Sequence, residues 1–169
     1  MSILILVLML TFPGLADEFS YKHYVAQGPA MLPTIASEDR LTVDPDYYST
    51  HPFQRGDILV FKLSDDRIFI KRVIGFPGEK IRIQEHRLYI DGVAREEPYL
   101  QSQLADSLRL NAGAPFDYPE QIVPEDTIFV LGDNRLNSLD SRTFGAVDIG
   151  HVLGKVIRIN PRESSSPPH

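Results

Sequence analysis

The chain has 169 residues, of which 43% are apolar, 24% charged and 9% aromatic; this suits one domain with a real core and excludes a wholly disordered chain. Seventeen Lys and Arg against 23 Asp and Glu leave a formal charge of −6, a balance that argues against nucleic acid as a partner. With no cysteine, disulfides, thiolate metal sites and a thiol nucleophile are excluded.

Residues 1–16 open on a nearly continuous aliphatic run, Ser2 to Phe12, closed by Pro13 and Gly14. Crossing a hydrocarbon core takes about 20 apolar residues, and the cores of secretion signals run about 7–15. Three readings stay open: a short membrane anchor, a cleaved secretion signal with Gly14-Leu15-Ala16 as its small-residue site, and a buried strand or helix. The first two put the remaining chain beside or beyond a membrane.

Residues 17–160 read as one mostly β domain. Arg40 to Val43 alternates, Asp57 to Lys62 is an apolar run, and Ile68 to Phe76 is a longer one that Pro77-Gly78 ends. Lys80 to Gln84 alternates strictly and is followed by Arg87 to Ile90, so the two form a hairpin. Thr127 to Leu131 and Val152 to Ile159 supply two more strands. Many short strands punctuated by Gly and Pro predict an antiparallel barrel or sandwich. Residues 93–123 lose the pattern and read as an irregular insertion, with room for a helical turn between Leu100 and Leu110. Glu96-Glu97 reads as a solvated pair at a turn. Tyr47, Tyr48 and Phe53 sit in an exposed-looking segment, where ordinary packing is favoured over contact with a membrane interface. Residues 161–169 have the composition of a solvated tail.

Three segments carry chemistry. In Gln27 to Ile35, Pro29 and Pro33 bracket Met31 and preclude regular pairing, so this is a shaped loop, with Met31 readable on its own as an apolar plug. In Phe69 to Glu79, Lys71 and Arg72 are adjacent on a strand and point to opposite faces. A lysine on a buried face loses hydration, and its lowered pKa lets it accept a proton near neutral pH; an arginine stays charged. On an edge strand, both cations would instead sit in water. In Gly132 to Gly145, Asx, Ser and Arg crowd directly after an apolar strand and build a rigid loop, with Asp140 and Arg142 charge-complementary. The five histidines have no ligand-like spacing, so neither a metal nor a cofactor is expected.

In this order, the three segments resemble the boxes of the type I signal peptidases. Ala30-Met31-Leu32-Pro33-Thr34 matches the second half of the family's Ser-x-Ser-Met-x-Pro-Thr, Lys71 to Glu79 resembles its lysine box, and Gly132 to Gly145 matches its last box. Arg55-Gly56-Asp57-Ile58 resembles a further family segment. The resemblance implies a largely antiparallel β fold and a membrane-associated, extracytoplasmic endopeptidase with a Ser–Lys pair. Its substrates would be the signal peptides of exported preproteins, with membrane lipid as neighbour. It also implies roles: Lys71 as general base, Ser138 orienting its amine, Asp140 and Arg142 bracing the loop, and the N–H at position 30 donating to the oxyanion.

This sequence departs from the family at the nucleophile, where Ala30 carries no hydroxyl, and at Gly28, where the family has its other hydroxyl. Three readings of Ala30 stay open: a designed substitution, a homologue that has lost peptide-bond chemistry, or another nucleophile working with Lys71. Beside the endopeptidase stands a binding reading, in which the groove holds signal peptides or the chain partners an active signal peptidase.

Overall fold

The computed structural model describes residues 21–64, 66–100 and 117–162. The apolar start, most of the segment after Leu100 and the Ser/Pro-rich tail lie outside the described residues. The larger sheet holds seven strands: β1 (Lys22–Val25), β2 (Arg40–Asp44), β3 (Ile58–Lys62), β4 (Ile68–Gly75), β9 (Thr127–Leu131), β10 (Val147–Asp148) and β11 (Val152–Asn160). The smaller holds four: β5 (Lys80–Gln84), β6 (Arg87–Ile90), β7 (Val93–Arg95) and β8 (Tyr118–Ile122). Their orders are β1-β2-β11-β3-β4-β9-β10 and β7-β6-β5-β8, and each pairing is antiparallel. The chain therefore adopts the mostly β, antiparallel architecture its sequence predicts.

The patterns explain the placement. β3 buries the consecutive residues Leu59, Val60 and Phe61, as a strand covered on both faces must. In β5 and β6 only Ile81, Ile83, Leu88 and Ile90 are buried. They meet as the cross-strand pairs Ile81–Ile90 and Ile83–Leu88, so the small sheet is covered on one face. That face packs on Ile74, Phe129 and Leu131 at the ends of β4 and β9. A second core gathers Leu59, Phe61, Val73, Ile128 and Val130. A third gathers Met31, Ile35, Leu41, Val43 and Val60 and anchors the first chemical segment.

Two expectations are corrected. β4 is paired with β3 on one side and β9 on the other, so Lys71 and Arg72 are not on an edge strand. The stretch 93–123, read as irregular, begins and ends in strands: β7 extends β6, and β8 pairs with β5. Every residue of β7 is exposed, and β8 contains Pro119 with only Tyr118 half-buried. Edge strands of this kind tolerate proline and show no apolar alternation for a sequence reading to detect. Tyr47–Thr50 forms a short helix, α1, beside which Tyr48 stacks on Phe53 with ring centroids 3.9 Å apart and donates to Asp57. Ordinary packing thus accounts for these aromatics.

Candidate active site

The segment after β1 turns inward because Ala26, Met31 and Ile35 are core residues. Met31 is therefore the plug that fixes the loop, and Pro33 follows Leu32 on its exposed outer side. Gly28 adopts a φ of 77°, although a β-carbon there would meet nothing within 4 Å. Its backbone conformation, rather than space, is what disfavours a side chain. Ala30 is half-buried, and its N–H has no acceptor among the described residues.

Lys71 lies on β4 and is only 3% exposed. Its Nζ donates to the Ile70 carbonyl at 2.9 Å and stands 5.3 Å from the centre of the Phe69 ring. Burial lowers its pKa from 10.5 to about 8, opposed by the charges of Asp140 and Asp133. Ala30 and Lys71 line the same cleft of about 390 Å³, together with Tyr24, Val25, Met31, Ile68, Phe69, Ile70 and Leu139. The walls are apolar, which is why the amine is poorly hydrated.

The third segment reaches the cleft through Leu139. α2 (Ser141–Phe144) is one turn capped by Asp140, and the fully buried Asp140 carboxylate accepts from Gly132 N at 3.0 Å and from Arg142 Nε at 2.8 Å. Asp140 and Arg142 are thus an ion pair within the loop. Ser141 Oγ accepts from Val130 N, tying the loop to β9. Asn134 N donates to the Ala30 carbonyl at 3.0 Å, and Asn134 Nδ2 to the Pro29 carbonyl at 3.1 Å. A β-carbon at Gly132 would collide with Ser138 Oγ and the Ala30 carbonyl, so only glycine lets the two loops touch. Ser138 Oγ is buried there without a hydrogen-bond partner among the described residues. The structure thus brings Ala30, Lys71, Ser138 and Asp140 into one neighbourhood, but no hydrogen bond joins Ser138 to Lys71, whose amine is turned to Ile70.

Sequence reasoning missed the polar layer behind this neighbourhood. Arg72 reaches Asp133 with Nε at 2.8 Å and Nη2 at 2.6 Å, and Thr34 Oγ1 donates to the same carboxylate at 2.5 Å. Glu97, expected in solvent, is instead 8% exposed in its side chain and paired with an equally buried Arg135. The correction has a simple cause: the turn after β7 folds back onto the last box, where Arg135 needs a counter-charge once desolvated. The signal was present as Arg72, Asp133 and Arg135 inside the boxes, but nothing in the sequence paired them.

The family described as "Signal peptidase, peptidase S26" matches residues 1–159. The chain belongs to that family. It is 40% identical over 142 residues to signal peptidase I of Bacillus caldolyticus, covering 82% of this chain and 78% of the relative. It is 33% identical over 150 residues to signal peptidase IB of Staphylococcus aureus strain Mu50, covering 84% and 78%. A crystal structure of a signal peptidase I from Enterococcus faecalis superposes with a TM-score of 0.52 at 35% identity, covering 63% of this chain and 97% of that one.

Proposed function

We propose that the chain binds the cleavage region of exported preproteins in this cleft, as a membrane-associated serine endopeptidase of the signal peptidase I type held at the nucleophile step by Ala30. The observation that supports this most is Lys71: an amine buried against apolar walls, with a pKa lowered towards neutrality, on the cleft that position 30 lines. Lys71 is the general base, the Ala30 N–H donates to the oxyanion, and Ser138, whose buried Oγ makes no hydrogen bond among the described residues, is the group that receives the amine when it turns from the Ile70 carbonyl. Met31, Pro33 and Gly28 shape the loop, and Asp140 with Arg142 holds the wall behind it. The amine donates to the Ile70 carbonyl.

A serine at position 30 completes the reaction. Its Oγ bonds to the peptide carbonyl carbon while its proton passes to the Lys71 amine. The peptide C–N bond then breaks, and Lys71 returns that proton to the leaving nitrogen. Water, deprotonated by Lys71, then attacks the acyl ester carbonyl; the bond to Oγ breaks, and Lys71 returns the proton to that oxygen.

The test is cleavage of a preprotein carrying an Ala-x-Ala site by the chain and by its Ala30→Ser variant, with binding measured alongside. The expected result is binding by both and cutting by the variant only. Full-rate cutting by the unaltered chain would point to another nucleophile, and absence of binding in both would overturn the proposal. A second reading, binding without cutting beside an active signal peptidase, is favoured by Ala30 itself. It leaves the buried amine unexplained, because binding alone needs no base.

A further inference from the structure

The turn Glu97–Leu100 follows β7 of the smaller sheet, yet its polar groups go to the loop after β9. Arg135 Nη1 and Nη2 bond both oxygens of Glu97 at 3.0 and 2.5 Å, and Tyr99 OH donates to Glu97 at 2.6 Å. The Tyr99 ring lies 4.1 Å from the Arg72 guanidinium, and Arg72 holds Asp133. Arg135 then passes the constraint inward: its Nε donates to the Gly132 carbonyl at 3.1 Å, and its own carbonyl accepts from Arg142 Nη2 at 3.0 Å. Gly132 is the residue wedged against both Ser138 Oγ and the Ala30 carbonyl.

We propose that Glu97 is a positioning residue for the reaction site: through Arg135 and Gly132 it presses the loop carrying Ser138 and Leu139 against the Ala30 loop, which keeps water from the Lys71 amine. Neither Glu97 nor Arg135 touches the cleft, since neither is among its lining residues. They act through the backbone of Gly132. A buried bidentate pair suits this task because it fixes orientation as well as distance, and a single lost partner leaves the other charge uncompensated. The inference rests on reading the cleft as the reaction site.

The experiment reads Lys71 itself, so it needs no turnover and uses the full chain with Ala30 in place. The Lys71 side-chain methylene carbon next to Nζ is followed by NMR across pH 6–12 in the unaltered chain, in Glu97→Gln and in Glu79→Gln. The last variant breaks the comparably short Arg55–Glu79 pair, which touches neither loop. The unaltered chain should titrate near 8. Glu97→Gln should move the midpoint up by about one unit or more, because readmitted water removes the larger, burial-driven effect. The opposing loss of Asp133 and Asp140 is the smaller effect, and Glu79→Gln should leave the midpoint unmoved. An unmoved midpoint in a folded Glu97→Gln, or an equal shift in Glu79→Gln, overturns the positioning role. If Glu97→Gln fails to fold, Glu97→Asp is read by the same criterion. A midpoint near 10.5 in the unaltered chain would instead defeat the reading of the site itself.

Discussion

Burying Lys71 costs the fold stability. An amine whose pKa is about 8 when folded and 10.5 when free binds its proton less readily in the folded chain than in the unfolded one. Stability contributed by this group therefore rises with pH between those values, and below about 8 the fold carries a penalty of up to about 3 kcal/mol. Lys71→Met, which keeps the apolar stem, should raise the unfolding free energy at pH 7 and flatten its rise between pH 8 and 10.5. Urea unfolding at a series of pH values measures both effects. A destabilised variant at pH 7 would show that the amine is well solvated or firmly paired.

At the scale of elements, the cleft depends on how β4 is tied to the loop after β9. Arg72 on β4 and Asp133 at the start of that loop are both nearly buried, with side-chain exposures of 11% and 1%, and the Arg72 guanidinium also bonds the Gly56 carbonyl. Asp133→Asn should cost about 3–5 kcal/mol, because the guanidinium stays buried without its counter-charge. The double change Arg72→Met with Asp133→Leu should cost clearly less, and denaturant unfolding of the three chains checks the ordering. Equal costs would mean that the pair acts through shape rather than charge. The strands framing this tie were legible from local pattern: β5 and β6 alternate, β3 is an unbroken apolar run, and Pro77-Gly78 ends the β4 run. β7 and β8 were not, because an exposed edge leaves no hydrophobic period to read. The burial of Lys71 was legible as one of the two faces open to adjacent cations on a strand. Glu97 was not, since its burial is decided by Arg135, 38 residues away and on the other side of the insertion.

At the scale of the whole molecule, the cleft carries exposed apolar residues among those that line it. Val25, Ile68 and Leu139 line the cleft and remain 54%, 53% and 40% exposed, and Leu32 and Leu136 stand exposed on the two loops that touch behind it. No helix of the described residues is long and apolar enough to cross a membrane. Exposed apolar surface around a polar-backed cleft suits a site that takes its substrate at a lipid surface. The chain has no tryptophan, which makes a single introduced one an unambiguous reporter. In the full chain bound to vesicles containing brominated lipid, the fluorescence of Leu139→Trp should be strongly quenched. That of Val93→Trp, on the small sheet where position 93 is 56% exposed, should be quenched weakly. Equal quenching would mean that the chain lies on the bilayer with no preferred face, and stronger quenching at Val93→Trp would turn the cleft away from the membrane.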